Sequence, residues 1–221
     1  MDFPRLLFVF LLFTLMVPYA PAEAARTSRS MGSGESISRA SYDEADGGKY
    51  SGSLRTKIKK LDNDRVDDIP VPVLFVDYAD IYPDFGAPRD GGKRKHQGQD
   101  ILAPKNSFIV SPTDAVVTKI GKGESAGIYV YTANPGGEVF AYMHLEKIAP
   151  GLKRGSVLAP GDLIGFVGNT GNARYTPSHL HFEIRKGRRP LDPYPRLVGT
   201  FTLAEQKTML ESILASLEKI K

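Results

Sequence analysis

The stretch that decides the fold is GIYVYTANPGGEVFAYMHL, which occupies residues 127–145. Two runs rich in β-branched and aromatic residues stand on either side of Asn134-Pro135-Gly136-Gly137. A glycine-rich turn between two such runs is typical of a β-hairpin, because glycine adopts the left-handed backbone that tight turns require. We therefore predict antiparallel strands over Gly127–Ala133 and Glu138–His144.

Short runs of the same texture continue on both sides of this hairpin, separated by turn residues. The turns include Pro160-Gly161-Asp162 and the glycine-rich stretch from Gly168 to Asn172. Close spacing of strands and turns is typical of an all-β domain, and we predict a compact antiparallel β-sheet domain over residues 70–198. The further predicted strands are Val71–Tyr78, Asp100–Leu102, Phe108–Val110, Ala115–Ile120, Leu163–Val167 and Leu180–Arg185.

The C-terminal residues 199–221 have a helical pattern instead. Thr202 and Glu205 stand at the spacing of a capping box, in which each side chain bonds the other residue's backbone N–H at a helix start. Apolar residues then recur at helical spacing and form one stripe. We predict an amphipathic helix docked on the β domain, the alternative being a helix that binds a partner or a membrane surface. The stripe consists of Leu203, Leu210, Ile213, Leu214, Leu217 and Ile220.

The N-terminal residues 1–24 have the pattern of a secretory signal peptide, with Arg5 before an apolar run over residues 6–17 and small residues up to Ala24. As a helix, this run would be about 18 Å long, short of the ~30 Å hydrocarbon core of a bilayer. We predict export to a periplasm or secretion, with no transmembrane anchor after cleavage. Residues 25–69 are rich in Ser, Gly, Arg and Asp, and are predicted to form a flexible segment and a candidate pro-region.

Composition limits the chemistry that the chain can use. It contains no cysteine, so disulfide bonds and thiolate metal sites are excluded, and a metal site would need His, Asp or Glu ligands. The formal net charge of +4 suits an anionic surface or polymer outside the cell. Because the chain has no recognisable nucleic-acid-binding module, we predict no nucleic-acid partner.

The chain has four histidines, and their positions are informative. His179 and His181 are two apart on a predicted strand, so their side chains share a face and stand about 6.6 Å apart. His96 and Asp100 would be ~13 Å apart in an extended chain, too far to share a metal ion with bonds of ~2 Å. The chain must therefore bend between them, and Gly98 permits the bend. The fourth histidine ends the second strand of the hairpin.

Five short segments together resemble the M23 family of zinc metallopeptidases, the lysostaphin-like or LytM-like peptidoglycan endopeptidases. They occur in the family's order and at plausible spacing, and the resemblance extends from Phe85 to Tyr194, about half of the chain. The segments are His96-Gln97-Gly98-Gln99-Asp100-Ile101, Ala141-Tyr142-Met143-His144-Leu145, Gly161-Asp162-Leu163-Ile164-Gly165, Gly168-Asn169-Thr170-Gly171 and His179-Leu180-His181-Phe182-Glu183.

The resemblance implies a role for each residue of the set. His96, Asp100 and His181 are expected to bind one Zn²⁺ per chain, and His144 and His179 are expected to be catalytic. Three protein ligands leave a fourth zinc position for water, which marks a catalytic rather than a structural site. The family's fold is a compact antiparallel β structure with a long open groove, and we expect that fold here.

The function that the resemblance implies is hydrolysis, by an exported zinc endopeptidase, of peptide bonds in peptidoglycan stems or cross-bridges. One alternative is a non-catalytic LytM-like regulator or binder of cell-wall hydrolases, and another is a peptidase of other exported Gly-rich proteins. The complete set of five residues favours catalysis. Residues 90–95 lack the tyrosine that some family members carry there. In some members an N-terminal side chain occupies the open zinc position, and Asn63 is a candidate for that role.

Overall fold

Antiparallel strands dominate residues 52–219, the part of the chain that this computed structural model describes. Most strands are short, and the longest ones form a central hairpin and its neighbours. In chain order, β1 to β12 are Pro88–Arg89, Arg94–Lys95, Gln99–Leu102, Phe108–Val110, Ala115–Gly123, Gly127–Asn134, Glu138–Leu145, Lys147–Ile148, Val157–Leu158, Leu163–Phe166, His179–Lys186 and Arg189–Leu191.

The strands form three sheets in the described residues. The main sheet has seven strands. Six of them have the order β12-β11-β7-β6-β5-β9, and the seventh, β3, pairs with the part of β11 that does not pair with β12. A three-stranded sheet has the order β4-β10-β8, and β1 pairs with β2 in a two-stranded ribbon. All these strand pairs are antiparallel, so the predicted all-β antiparallel fold is confirmed.

The main core lies between one face of the main sheet and the three-stranded sheet. Alternation along β11 sends Leu180, Phe182 and Ile184 into this core, where they join Ile109 of β4 and Ile164 of β10. All five side chains are fully buried. Because side chains alternate between the two faces of a strand, the odd-numbered residues of β11 lie on the opposite face, which we call the histidine face.

The hairpin and most of the predicted strands are confirmed, with ends that differ by a few residues. The turn between β6 and β7 is a short 3-10 segment, Pro135–Gly137. Within it Gly136 and Gly137 have φ values of 69° and 62°, the left-handed backbone expected of the glycines.

The predicted strand Val71–Tyr78 is wrong. Val73 makes only an isolated bridge to Ile109, and the segment ends in a 3-10 turn at Tyr78–Asp80. Pro72 has no N–H to donate to a ladder, and Phe75 has a φ of 64°, outside the extended backbone of a regular strand. Val71, Val73 and Leu74 are buried all the same, so the first half of the segment packs into the core without becoming a strand, whereas Phe75 is exposed.

The predicted C-terminal helix is confirmed as α2, Leu203–Glu218, after the N-terminal helix α1, Gly52–Ile58. Thr202 caps α2, and the reciprocal bonds with Glu205 complete the capping box. The docked face is narrower than predicted: Ile213 is buried in a cluster with Leu74 and Val110, whereas Leu203 and Leu214 are exposed. Ile220, the last residue of the predicted stripe, lies outside the described residues.

Residues 52–69, part of the predicted flexible segment, contact the β domain at several points. In α1, Leu54 is buried and the Lys57 Nζ donates to the Gly155 carbonyl at 2.6 Å. Ile69 is also buried, and its N–H donates to the Arg196 carbonyl. The predicted signal peptide and residues 25–51 lie outside the described residues. Among the described helices, none has the length and apolar character to cross a membrane.

Candidate metal centre

Strand β11 places His179 and His181 on the histidine face, as their spacing predicts. Both are buried, with 7% and 8% of their surface exposed. Strand β3 pairs with β11 so that Asp100 stands directly opposite His181. The Asp100 Oδ1 atom consequently lies 2.8 Å from the His181 Nδ1 atom. Strand pairing therefore brings two members of the predicted metal set together.

His96 reaches the same point from the segment before β3. Its Nε2 atom is 3.1 Å from Asp100 Oδ1, which confirms that the chain bends between the two residues. Position 98 also has no room for a side chain. A Cβ atom there would stand 2.5 Å from the Phe182 carbonyl oxygen and 2.8 Å from the Glu183 Cγ atom. Gly98 thus lets the segment pass directly over β11.

Three donor atoms converge in this cluster. Besides the two contacts to Asp100, the His96 Nε2 and His181 Nδ1 atoms are 2.9 Å apart. Ligand atoms around a tetrahedral zinc ion, with bonds of 2.0–2.1 Å, are separated by about 3.3 Å. The three separations, all near 3 Å, are close to this value, and the residues can hold a metal ion as a group. Two imidazoles and one carboxylate are a donor set that suits zinc.

Carboxylates behind the two imidazoles fix which ring nitrogen faces the cluster. The His96 Nδ1 atom is 3.0 Å from the Asp84 carbonyl oxygen and 3.1 Å from its Oδ2 atom, and the His181 Nε2 atom is 3.1 Å from Glu183 Oε1. If these nitrogens carry the ring protons and donate them, His96 Nε2 and His181 Nδ1 are left with lone pairs for a metal. Such partners are usual behind metal-binding histidines, because they orient the ring and raise its basicity.

Two arginines hold these carboxylates. Arg185 Nε donates to Glu183 at 2.6 Å, and both side chains are almost completely buried. The Arg89 Nη2 atom bridges Asp84 at 2.8 Å and Asp100 at 2.9 Å. Because each pair neutralises part of the negative charge, the centre can hold three carboxylates close together without a large repulsion.

Sequence reasoning assigned no role to Asp84, Arg89, Glu183 or Arg185. Glu183 could have been found, because it is two residues after His181 and strand alternation puts both on one face. Asp84 and Arg89 lie in the loop and ribbon before His96, where no periodic pattern indicates that a side chain will reach the centre.

The other two histidines stand beside the three donors. The His144 and His179 rings have centroids 5.1 Å apart, and the His179 Nε2 atom is 3.8 Å from Asp100 Oδ1. Each ring places Nδ1 within hydrogen-bond distance of a backbone carbonyl, that of Thr170 at 2.9 Å for His144 and that of Pro177 at 2.8 Å for His179. A carbonyl only accepts, so in the neutral form of each ring Nδ1 carries the proton and Nε2 is an acceptor. All five predicted site residues thus meet in one place.

Comparison with known proteins agrees with this geometry. Residues 94–193 match the sequence profile of Peptidase family M23, and the match contains all five of these residues. The matched region, a little under half of the chain, is a domain of peptidase family M23.

Several curated proteins are similar to this chain over the M23 domain. The chain is 34% identical to the L-Ala--D-Glu endopeptidase of Bacillus subtilis, over 48% of this chain and 36% of that protein. It is 34% identical to the DD-carboxypeptidase/endopeptidase Mpg of Neisseria meningitidis, over 58% of this chain and 30% of that protein. It is 30% identical to the peptidoglycan DD-endopeptidase ShyA of Vibrio cholerae, over 53% of this chain and 26% of that protein. The chain thus spans about a third of the length of these curated relatives.

Burial and neighbouring charged groups in the M23 domain shift the pKa values of the residues at the metal centre. Burial alone would lower the pKa of His181, but its hydrogen bonds to Asp100 and Glu183 outweigh burial and raise the pKa to about 9. Burial alone would raise the pKa of Asp100, but the hydrogen bonds from the two histidines hold it well below its ordinary value. For His144, burial first and the neighbouring His181 and His179 second lower the pKa to about 4. His144 is therefore neutral at pH 7.

Binding of Zn²⁺ to the metal-free M23 domain at pH 7 is expected to release at least about one proton. The pKa of His96 is raised as well: burial would lower it, but the hydrogen bonds to Asp100 and Asp84 outweigh burial, so this ring can add to the release. With a pKa of about 9, the His181 imidazole is protonated at this pH, and its Nδ1 atom must lose that proton to bind a metal. The apparent affinity should accordingly fall by at least about tenfold for each pH unit below 9. Calorimetric titration in two buffers of different ionisation enthalpy measures the released proton. An identical heat of binding in both buffers would contradict this expectation.

Asn63, the candidate occupant of the open metal position, lies near the end of β7 that is remote from His144. Its neighbour Asp62 accepts a hydrogen bond from the Gly136 N–H at 3.0 Å. Gly136 belongs to the turn before β7, whereas His144 is near the other end of that strand, about 20 Å away at the rise of an antiparallel strand.

Proposed function

We propose that the chain is a zinc-dependent endopeptidase that hydrolyses peptide bonds in peptidoglycan stems or cross-bridges. The observation that carries this proposal is the convergence of His96, Asp100 and His181 beside two histidines whose Nε2 atoms are acceptors. A structural metal site would need no such pair of imidazole rings next to it. The arrangement therefore favours catalysis over a purely structural or regulatory role.

In this proposal, one Zn²⁺ per chain is bound by His96, Asp100 and His181. The ion would supply Lewis-acid polarisation of a peptide carbonyl and would lower the pKa of its water towards ~7. The chain's own contribution is to fix the three donors, which Asp84 and Glu183 do through the rings and Arg89 does through Asp100. The negative charge of Asp100 also balances part of the charge of the ion.

His144 and His179 are proposed to move protons. The Nε2 atom of a neutral imidazole can accept a proton from the attacking water and then donate it to the leaving amine nitrogen as the C–N bond breaks. A protonated ring can also donate a hydrogen bond to the negatively charged oxygen of the transition state. The low pKa of His144, about 4, keeps it neutral and ready to accept at neutral pH. The backbone carbonyls behind both rings hold the required tautomer.

Peptidoglycan as the substrate is supported by the relatives, of which the one from Vibrio cholerae is named a peptidoglycan DD-endopeptidase. Export is part of the same proposal. Peptidoglycan lies outside the cytoplasmic membrane, and residues 1–24 have the charge and apolar pattern of a signal peptide. The net charge of +4 suits an anionic wall. We propose that the enzyme acts in a periplasm or after secretion.

The test is digestion of purified sacculi by the purified chain, followed by mass spectrometry of the released fragments. We expect new amino groups at a single type of peptide bond, loss of cleavage with a chelator, and recovery when Zn²⁺ is restored. A chain that binds zinc but cleaves no wall preparation would support the regulatory alternative. Cleavage of exported Gly-rich proteins in place of sacculi would support the other peptidase alternative. Cleavage that survives full removal of metal would contradict the zinc chemistry.

A further inference from the structure

An irregularity in strand β7 turns His144 toward the metal centre. Between the pairs Ile128–Leu145 and Val130–Tyr142, strand β6 has one residue and β7 has two, which defines a β-bulge. Tyr142 and Leu145 both lie in the main core, although residues three apart on a regular strand would face opposite ways. With regular alternation, His144 would point into that core. The bulge instead frees His144 to join the histidine face.

The backbone at this bulge is unusual and needs support. His144 has a φ of 63°, in the left-handed region that costs a non-glycine residue energy. A bulge also takes backbone donors and acceptors out of the ladder, and each must find another partner when it is shielded from water. The His144 N–H finds one in the Ala126 carbonyl at 2.9 Å. The His144 carbonyl accepts from the Thr170 N–H at 3.4 Å. Two further groups, the Ile128 N–H and the Leu145 carbonyl, lie on the pair that closes the bulge.

The side chain of Thr170 bonds both the Ile128 N–H and the Leu145 carbonyl. Its Oγ1 atom accepts from the Ile128 N–H at 2.9 Å and donates to the Leu145 carbonyl at 2.7 Å. Its own carbonyl accepts from His144 Nδ1 at 2.9 Å. One residue therefore holds both edges of the bulge and the ring that the bulge presents.

The chain around Thr170 is shaped for this close contact. A Cβ atom at Gly127 would overlap the Thr170 Oγ1 atom, and a Cβ atom at Gly171 would overlap the backbone N of Gly127. Both glycines also have positive φ values. The turn after β10 and the turn before β6 can thus approach each other only because both lack side chains at these positions.

We propose that Thr170 is a positioning residue that holds the His144 ring at the metal centre through the bulge. The inference rests on the proposed function for its effect on turnover, but the geometry that it invokes is independent of the substrate. A hydroxyl that both donates and accepts is required, so serine should replace threonine and valine should not.

The test compares Thr170→Val and Thr170→Ser with Thr118→Val in the zinc-loaded chain. Thr118 is a matched control, because it occupies a second bulge of the same sheet and its buried hydroxyl donates to the Tyr131 carbonyl, away from the histidines. We expect Thr170→Val to lower kcat on sacculi by about 100-fold, as expected of a catalytic group displaced by about 1 Å. KM and bound zinc should not change. Thr170→Ser and Thr118→Val should keep kcat within about threefold of the parent chain.

A second measurement keeps the test independent of the peptidase proposal. Imidazole ¹⁵N chemical shifts report whether Nδ1 of His144 carries the proton, and we expect this form to dominate in the parent chain and in Thr170→Ser but to lose population in Thr170→Val. Unchanged shifts together with unchanged kcat in Thr170→Val would overturn the positioning role. If the parent chain cleaves no sacculi, the shifts alone decide the role of Thr170. Loss of zinc in Thr170→Val, or equal losses of kcat in Thr118→Val, would show a general structural effect instead.

Discussion

Replacement of His181 by alanine is expected to abolish both metal binding and hydrolysis. His181 is proposed as a ligand, and its ring also lies between Asp100 and Glu183, 2.8 Å from the first and 3.1 Å from the second. Its loss removes one of three donors and leaves two carboxylates without their shared partner. Since a metal ion supplies several kcal/mol of transition-state stabilisation, we expect activity to fall by at least about 1,000-fold. Metal analysis of the purified variant and digestion of sacculi measure the two effects.

Glu183→Gln is the matched comparison for His181→Ala. The amide oxygen can still accept from the His181 ring, but the negative charge that raises the basicity of the ring is gone. Loss of such an outer partner typically lowers metal affinity by about 10- to 100-fold, so Glu183→Gln should bind zinc weakly and recover activity at high zinc concentration. His181→Ala should not recover. Full zinc occupancy in His181→Ala would remove His181 from the proposed ligand set.

Replacement of His144 by asparagine should abolish turnover and leave the metal in place. Asparagine is the better test than alanine, because His144 has a φ of 63° and asparagine tolerates the left-handed backbone. We expect kcat to fall by about 10²- to 10⁴-fold, the range of a general acid–base catalyst. Zinc content should stay at about one ion per chain. Metal analysis, thermal unfolding and digestion of sacculi on the same preparation provide the measurement.

Two further variants separate the loss of the His144 ring from an effect on backbone stability and test the same role for His179. His144→Ala should lose as much activity as His144→Asn but unfold at a lower temperature, because left-handed backbone costs alanine about 1–2 kcal/mol. His179→Asn should behave like His144→Asn, since its Nδ1 atom is held in the same way, by the Pro177 carbonyl. If His144→Asn loses zinc, His144 is a ligand and the division of the histidines must change. If its kcat is unchanged, the ring takes no part in the reaction.

Much of the fold followed from local patterns. The hairpin turn, the capping box at Thr202 and the alternation in β11 are each encoded within a few residues, and each appears in the structure as predicted. The strand predicted at Val71–Tyr78 failed because its apolar residues indicate burial and not hydrogen-bonded pairing. Pro72 and the left-handed Phe75 remove the segment from the ladder, while Val71, Val73 and Leu74 stay buried.

The metal centre was predictable only in part, because local patterns do not show strand register or how a loop folds over a sheet. Two-residue spacing indicates that His179 and His181 share a face, but strand register sets Asp100 opposite His181, and register is not visible in one strand. The contacts of Asp84 and Arg89 depend on how a loop folds over the sheet. The bulge at His144 is likewise invisible, because the sequence from Phe140 to Leu145 reads as an ordinary strand.

The two ends of the β domain meet, which bears on how such a domain can be combined with others. Pro70 and Gly199 form a parallel bridge, and the Gly199 N–H donates to the Ile69 carbonyl at 3.1 Å. A unit whose entry and exit lie side by side can be inserted into, or joined onto, a longer polypeptide without stretching either connection. The curated relatives, about three times as long as the region they share with this chain, are consistent with such modular reuse.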